Sequence, residues 1–224
     1  MILYNDNCNN VLKELDLSNC IIVSDPPFNV NYHYDTYEDS MNEEDYLNWM
    51  KDIFTLCPSV IIHYPETLYK ICLKMGEAPV KVCSWVYNSM NPRQHRDVAF
   101  FGVKPDFNQV KQPYKNPNDK RIKKRIEEGK TGGRLYDWWN INIVKNVTKN
   151  KCNNSHPCVM PLEVMKNIVG ILPKGKTIVD PFMGSGTTGV ACKELGYDFI
   201  GIELDENYFN IAKERMENVP DTLL

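Results

Sequence analysis

The stretch that decides the fold reads TIVDPFMGSGTTG and covers residues 177–189. Its first four residues form a short apolar run that stops at a glycine-rich turn, and residues 187–195 then follow a helical pattern that Gly196 ends. The three glycines of the turn have the spacing G-x-G-x-x-G, which lets the backbone approach a nucleotide closely when the turn joins a strand to a helix. This order predicts a strand, a tight turn and a helix that together bind a nucleotide.

The next strand along the chain carries the second half of this predicted site. Residues 199–202 are apolar and end at Glu203, which lies 19 residues after Gly184. A carboxylate at that distance accepts hydrogen bonds from the hydroxyls of a ribose. Asp205 then caps a final helix that extends to about residue 218. The pattern predicts an adenosine-containing cofactor and by itself leaves NAD and S-adenosylmethionine as alternatives.

The same alternation of apolar strands and amphipathic helices continues through the rest of the chain. Strands that alternate with helices favour a mostly parallel sheet with helices on both faces. The sequence therefore predicts an α/β fold of the Rossmann-like type. The further predicted strands lie at 2–4, 20–23, 60–62, 80–87 and 98–103, and the further predicted helices at 10–15, 43–56, 68–75 and 161–172.

A second motif, Asp25-Pro26-Pro27-Phe28, follows the apolar run at 20–23. Ligands of open α/β sheets bind at this carboxyl edge of the strands. The two prolines remove two backbone donors, which leaves the Pro26 carbonyl and the Asp25 carboxylate as acceptors for one amino group. Phe28 adds a flat apolar face on which an extruded base can stack. The motif indicates a site that activates an exocyclic amine, and a rigid turn is the alternative interpretation.

Four segments, at 25–28, 161–163, 180–189 and 199–205, together resemble the amino-group DNA methyltransferases of the β arrangement, in which the catalytic tetrapeptide precedes the cofactor loop. The resemblance implies one circularly permuted domain over residues 1–224, with an S-adenosylmethionine-dependent methyltransferase fold. It assigns catalysis to the tetrapeptide. For His156 it leaves two alternatives, the methionine pocket or the surface. The residues that it assigns to the cofactor are Asp6, Cys8, His156, Asp180, Phe182, Gly184, Ser185, Gly186, Thr187 and Glu203.

Residues 91–154 lack a regular pattern and are predicted to be an insertion that recognises the target. Residues 104–151 contain 13 Lys or Arg and 5 Asp or Glu, a net charge of +8, against −11 for the remainder. A basic segment on an acidic body indicates a polyanion, although a solvated basic face gives the same counts. The resemblance implies that this polyanion is double-stranded DNA. Trp138 and Trp139 either belong to the core or fill space beside an extruded base. The predicted DNA contacts are Arg93, Arg96, Lys120, Arg121, Lys123, Lys124, Arg125 and Arg134.

Composition restricts the class of protein further. A chain of 224 residues with 42% hydrophobic positions fits one domain. No apolar run reaches the roughly 18 residues of a membrane helix, and residues 1–6 lack the basic, apolar and small-residue order of a secretory signal, so we expect a soluble cytoplasmic protein. The eight cysteines are scattered without a C-x-x-C pair, so we expect reduced thiols and no metal site. The acidic stretch at 35–52 is expected to be solvated.

Several substrates and mechanisms compete at this stage. By the resemblance, an aspartate at position 25 favours adenine N6 over cytosine N4, while RNA amino groups and protein amides remain alternatives. A carbon-5 cytosine mechanism needs a cysteine nucleophile, and Cys158 lies outside the acceptor site. If the protein were an NAD-dependent oxidoreductase, the Asp25-Pro26-Pro27-Phe28 motif would have no function. If it were a non-enzymatic DNA-binding module, neither this motif nor the glycine loop would have one.

The recognition region is short for the family, which leaves a short target, a relaxed specificity and a homodimer as alternatives. The sequence does not decide between an orphan enzyme and one that works beside a cognate restriction endonuclease.

Overall fold

The computed structural model describes residues 1–31, 37–90, 92–144 and 159–220. Strands and helices alternate over most of this length. The strands are β1 (Ile2–Asn5), β2 (Cys20–Ser24), β3 (Ser59–His63), β4 (Lys81–Val86), β5 (His95–Phe101), β6 (Lys111–Gln112), β7 (Gly133–Arg134), β8 (Trp138–Asn140), β9 (Thr177–Asp180) and β10 (Asp198–Glu203). The helices are α1 (Cys8–Glu14), α2 (Glu43–Phe54), α3 (Pro65–Met75), α4 (Lys120–Glu127), α5 (Leu162–Gly170), α6 (Thr187–Leu195) and α7 (Glu206–Glu217).

Eight of the strands form one central sheet in the order β1-β10-β9-β2-β3-β5-β4-β8. All neighbouring pairs are parallel except those of β5, which runs antiparallel to both β3 and β4. The two short strands β6 and β7 pair separately as an antiparallel ribbon. The predicted α/β fold with a mostly parallel sheet is confirmed.

Helices cover both faces of the central sheet, as the side chains of β2 show. Ile21 and Val23 lie in one apolar cluster with residues of α5, α6 and α7, whereas Ile22 lies in a second cluster with residues of α1, α2 and α3. Successive side chains of a strand point to opposite faces, so a strand covered on both sides must be apolar almost throughout. This requirement explains the uninterrupted apolar run that β2 shows in the sequence.

The centre of the sheet contains a topological switch point between β9 and β2. From β9 the chain continues to β10 on one side, while from β2 it continues to β3 on the other. Crossovers that diverge in this way leave a crevice at the carboxyl ends of the two strands. Asp180 ends β9 and Asp25 directly follows β2, so the two predicted motifs meet at this crevice.

The region predicted as an insertion, residues 91–154, is not irregular throughout. Strands β5 and β8 both lie within it, and both belong to the central sheet. The predicted strand at 98–103 is confirmed as part of β5, whose apolar residues are buried between β3 and β4, whereas the short strand β8 was not predicted. The role of residues 91–154 in target recognition stays a prediction. The segment between these strands contains α4 and the β6–β7 ribbon, and residues 145–154 lie outside the described residues.

Two further expectations concern the described residues. Six cysteines, at positions 8, 20, 57, 72, 83 and 192, are free thiols, and the other two lie outside the described ranges. In the part of the chain that the structure describes, no helix combines the length and the apolar character that crossing a membrane requires.

Candidate active site

The glycine loop between β9 and α6 needs its glycines for two reasons. Gly184 and Gly186 have φ values of 50° and 77°, in the left-handed region that favours glycine. A Cβ atom on Gly186 would also lie only 2.8 Å from the Cβ of Ala212 in α7. Gly186 therefore sets the approach of α7 to the loop, whereas Gly184 and its neighbours line the crevice.

Asp180 holds this loop against the neighbouring strand. Its carboxylate accepts hydrogen bonds from the Ser24 hydroxyl at 2.6 Å, the Thr188 hydroxyl at 2.5 Å and the Phe182 backbone N–H at 3.1 Å. Burial raises the pKa of Asp180, while these three donors oppose the shift. The residue thus connects β9, β2 and α6 at the floor of the crevice.

Glu203 ends β10 and reaches the same loop. Its Oε2 accepts from the Gly184 N–H at 2.8 Å and its Oε1 from the Asp205 N–H at 2.9 Å. Each oxygen has a second lone pair, so the carboxylate retains capacity for further donors. Burial raises the pKa of Glu203, and the two backbone donors oppose this rise. The geometry allows the ribose contact that the sequence predicts.

The Asp25-Pro26-Pro27-Phe28 turn leaves the end of β2 and enters the crevice beside Asp180. The Tyr46 hydroxyl, from α2, donates to the Pro27 carbonyl at 2.8 Å. Within the described part of the chain, no donor bonds the Pro26 carbonyl. The Pro27 carbonyl thus fixes the turn, whereas the Pro26 carbonyl remains available as an acceptor, as the motif predicts.

An unexpected buried acid fixes the segment that follows the turn. Asn29 and Asn31 have φ values of 55° and 59°, which are unusual for residues other than glycine. Asp39, only 1% exposed, accepts from the Asn29 N–H at 2.9 Å and from the Val30 N–H at 3.0 Å. The acidic stretch at 35–52 was predicted to be the solvated face of a loop and helix, and Asp39 departs from this prediction because its carboxylate accepts from two backbone donors of the strained segment.

Arg96 occupies a different place from the one that the sequence predicts. Its side chain projects from β5 and is 14% exposed, and its Nη1 donates to both Asp25 oxygens, at 2.9 and 3.3 Å. The expected contact with a DNA phosphate is therefore revised, since the guanidinium lies inside the crevice. Burial raises the pKa of Asp25 to about 6, although Arg96 opposes the shift and the nearby Asp180 adds to it.

Aromatic rings surround this ion pair. The Phe28 ring centroid lies 4.7 Å from that of His63 and 4.9 Å from that of Tyr64. The Arg96 guanidinium lies 4.5 Å from the Phe28 ring centroid. Burial lowers the pKa of His63 to about 3, so that this imidazole is neutral at physiological pH. The rings beside the ion pair are consequently uncharged, and Arg96 and Asp180 are the charged groups that act on Asp25.

One cavity of about 1120 Å³ joins the glycine loop to the turn at residues 25–28. Gly186 packs on α7 instead of lining it, and His156 lies outside the described residues. The predicted site residues that line the cavity are Asp6, Cys8, Asp25, Pro26, Pro27, Phe28, Asp180, Phe182, Gly184, Ser185, Thr187 and Glu203, together with Arg96 from the predicted DNA contacts.

The cavity also contains aromatic residues that the sequence did not single out. The Trp49 ring meets the Phe182 ring edge to face at 5.1 Å, and its Nε1 donates to the Asn9 side chain at 2.9 Å. Tyr64 lines the other end. The helical spacing of Tyr46 and Trp49 on α2 was the available signal, and it indicates a buried face without indicating a site.

The remaining predicted DNA contacts lie on the surface. Helix α4 has no buried residue and carries five of them, Lys120, Arg121, Lys123, Lys124 and Arg125, while Arg93 and Arg134 are exposed elsewhere. The two adjacent tryptophans differ in burial. Trp139 is buried, whereas Trp138 is 48% exposed and its ring centroid lies 5.1 Å from the Lys115 ammonium. None of these residues lines the cavity.

Known proteins match this chain over almost all of its length. A family model described as DNA methylase, N6_N4_Mtase, matches residues 20–214. The type II methyltransferase M.HpaI of Haemophilus parainfluenzae is 27% identical over 243 residues, which cover 94% of this chain and 73% of that protein.

Solved structures share the fold. The PvuII DNA methyltransferase, described as cytosine-N4-specific, has a TM-score of 0.71 at 15% identity and covers 98% of this chain and 88% of its own. The complex of M1.HpyAVI with S-adenosylmethionine has a TM-score of 0.62 at 23% identity and covers 96% of this chain and 98% of its own.

Proposed function

The chain belongs to the N6_N4_Mtase family of DNA methylases, and from this premise we propose that it transfers a methyl group from S-adenosylmethionine to the N6 amino group of adenine in double-stranded DNA. One observation carries the proposal, namely that a single cavity contains both the glycine loop with Glu203 and the turn with Asp25. A methyl donor and an acceptor amine can meet inside it. The resemblance to amino-group DNA methyltransferases is confirmed at the level of the family, and the permuted β arrangement stays a prediction.

The cofactor half of the cavity has the chemistry that S-adenosylmethionine requires. Glu203 keeps acceptor capacity for the two ribose hydroxyls. Burial raises the pKa of Cys8 to about 12, so its thiol stays neutral and forms an apolar wall. Phe182 and Trp49 add aromatic surface. When bound, the cofactor supplies an electrophilic methyl group, and the solved complex of M1.HpyAVI with it supports this assignment.

The acceptor half explains how a poor nucleophile is activated. The lone pair of an exocyclic amine is delocalised into its ring, and acceptors on both N–H bonds draw the nitrogen towards a tetrahedral geometry. Asp25 and the Pro26 carbonyl are two such acceptors at the end of β2. Asp25 also stabilises the positive charge that grows on the nitrogen as the new bond forms. Direct transfer needs no covalent enzyme intermediate.

The choice of adenine rests on the aspartate at position 25, because adenine-N6 enzymes carry it more often than cytosine-N4 enzymes. The fold is no guide to the base, since the PvuII enzyme is described as cytosine-N4-specific. Both reactions use an exocyclic amine beside an acceptor ring nitrogen, so the same site chemistry serves either base.

The exposed basic residues support DNA as the substrate. Five cations on α4, without a buried residue between them, suit contacts with the phosphate backbone. Such contacts supply salt-dependent affinity without sequence information. A cognate restriction endonuclease and a homodimer remain predictions.

The test is to incubate the protein with S-adenosylmethionine and unmethylated double-stranded DNA, digest the DNA to nucleosides and identify the product by mass spectrometry. N6-methyladenine is the expected product. N4-methylcytosine would overturn the choice of base and keep the mechanism. Methylation of RNA or of a protein amide under the same conditions, with none on DNA, would contradict the proposal.

A further inference from the structure

We propose that Arg96 is a positioning residue that keeps the Asp25 carboxylate ionised and fixed while the target amine binds to it. The inference deepens the proposed function and rests on it. Arg96 belongs to no recognised motif, and it lies 71 residues from Asp25 in the chain. Only the fold brings the two together.

The hydrogen bonds between the two residues leave room for the target. One nitrogen, Nη1 of Arg96, donates to both Asp25 oxygens, at 2.9 and 3.3 Å. An ionised carboxylate has about four lone-pair positions. Asp25 can therefore accept an N–H of the target amine while Arg96 stays in place.

The rings around Arg96 restrict its guanidinium. The guanidinium carbon lies 4.5 Å from the Phe28 ring centroid, 5.3 Å from that of Trp85 and 5.5 Å from that of Tyr64. A planar cation among aromatic rings gains both stacking and electrostatic attraction. Leaving the site would forfeit these contacts, so the geometry favours an Arg96 that remains beside Asp25.

The charges around the pair explain why a cation is needed. Two charged residues act on Asp25, namely Arg96, which belongs to β5, and Asp180, which ends β9. Around Arg96 lie His63 and Tyr64 at the end of β3 and Tyr87 after β4. His63 is neutral, and burial raises the pKa of Tyr87, so its phenol stays neutral as well. Without Arg96, the partly buried Asp25 carboxylate would have only the like charge of the buried Asp180 carboxylate near it, and one of the two would take up a proton.

A protonated Asp25 would be a weaker acceptor and would no longer oppose the positive charge on the nitrogen. Burial raises the pKa of Asp25 to about 6 even with Arg96 present, which is still low enough for ionisation at neutral pH. Removal of an adjacent opposite charge typically raises the pKa of a carboxyl by about one to three units. At physiological pH, Arg96 thus determines whether Asp25 is ionised and active or protonated and inactive.

The first test follows the carboxyl group directly and needs neither cofactor nor DNA. Carboxyl carbon NMR of the full chain, with the Asp25 resonance assigned by its loss in Asp25→Asn, gives the titration midpoint. We expect a midpoint near 6 in the wild type, about one to three units higher in Arg96→Met and Arg96→Gln, and little change in Arg96→Lys. An unmoved midpoint in the folded neutral variants would overturn the proposal.

The second test measures single-turnover methyl transfer against pH. A rise of about two units in the Asp25 pKa would leave about a tenth of the enzyme active at pH 7, with recovery towards pH 9. The control Arg93→Met removes a cation that lies 4.7 Å from the same Tyr64 ring, and it should leave the acidic limb of the profile in place. An equal loss of rate at every pH would leave Arg96 with only a structural role. A rate above wild type would show that Arg96 blocks the site of the target amine. Either result would overturn the proposal.

The two tests separate the two claims. If the wild type transfers no methyl group while the midpoint moves as expected, the proposed function fails and the effect of Arg96 on Asp25 stands. If the wild type is active and the midpoint does not move, the role of Arg96 fails alone.

Discussion

The crevice at the centre of the sheet and the basic helix α4 are built in opposite ways. In the crevice, Asp180 and Glu203 each accept hydrogen bonds from more than one donor, and both oxygens of Asp25 accept from Nη1 of Arg96. On α4 every side chain reaches solvent, and the one ion pair at its start joins Arg121 to the capping Asp119. The crevice fixes geometry, whereas α4 presents charge.

This difference predicts two kinds of mutational effect. A partnered, buried group in a shared cavity has no substitute, so its loss should be large and specific to one step. Exposed cations that contact phosphates act nearly independently of one another, so each loss should be small and should depend on salt.

Asp25→Ala should lower the rate of methyl transfer by about 10²- to 10³-fold, because the nitrogen loses the acceptor that opposes its developing charge. The affinity for S-adenosylmethionine, measured by calorimetry, should stay close to wild type, since Asp25 follows β2 whereas the glycine loop follows β9. Full activity in this variant would remove Asp25 from catalysis.

Glu203→Ala should weaken binding of S-adenosylmethionine by about 10- to 100-fold, which corresponds to about 1.5–3 kcal/mol for hydrogen bonds to a charged group. The Gly184 and Asp205 N–H groups also lose their acceptor. Calorimetric titration of the cofactor measures the change. Glu203→Gln retains one acceptor oxygen and should fall between, and an affinity unchanged in both variants would place the ribose elsewhere.

Asp39→Ala should lower the free energy of unfolding by about 1–3 kcal/mol, because two backbone donors of the segment after the catalytic turn lose their partner. Denaturant unfolding measures the change. Asp39→Asn, which keeps one acceptor, is the matched control and should lose less. Equal stability of all three proteins would show that the left-handed conformation of Asn29 does not depend on this acid.

Lys124→Gln on α4 should produce the smallest effect, a loss of DNA affinity of a few-fold at low salt. If Lys124 contacts one phosphate, the slope of log affinity against log salt should fall by about 0.9. Fluorescence anisotropy with labelled DNA at several salt concentrations measures both quantities. A loss of catalytic rate at saturating DNA would contradict the purely electrostatic role.

The parts of the fold that the sequence predicted best are those whose ends are marked by local signals, such as helix caps and glycine stops. Helix α6 ends where Gly196 adopts a left-handed conformation, and α7 begins where the Asp205 side chain caps two backbone N–H groups. Such signals act within a few residues and can be read directly from the chain. The positions of Asp25, Asp180 and Glu203 at one edge followed from the rule that parallel strands share their carboxyl ends.

The parts that the sequence missed depend on contacts between distant segments. Arg96 meets Asp25 across 71 residues, and its strand, β5, enters the sheet antiparallel between β3 and β4. Asp39 is buried because the backbone after the turn needs an acceptor, a demand that composition does not reveal. In both cases a charged side chain that composition assigned to the surface is instead paired with a partner inside the fold.

We infer that the crevice performs the transfer, whereas α4 supplies only affinity for DNA. The most direct measurement is the single-turnover rate at saturating DNA and S-adenosylmethionine, compared between Asp25→Ala and a variant in which Lys120, Lys123, Lys124 and Arg125 are all replaced by Gln. We expect a loss of about 10²- to 10³-fold in the first variant, and a rate close to wild type in the second once DNA saturates. Similar losses in the two variants, or a full rate in Asp25→Ala, would contradict it.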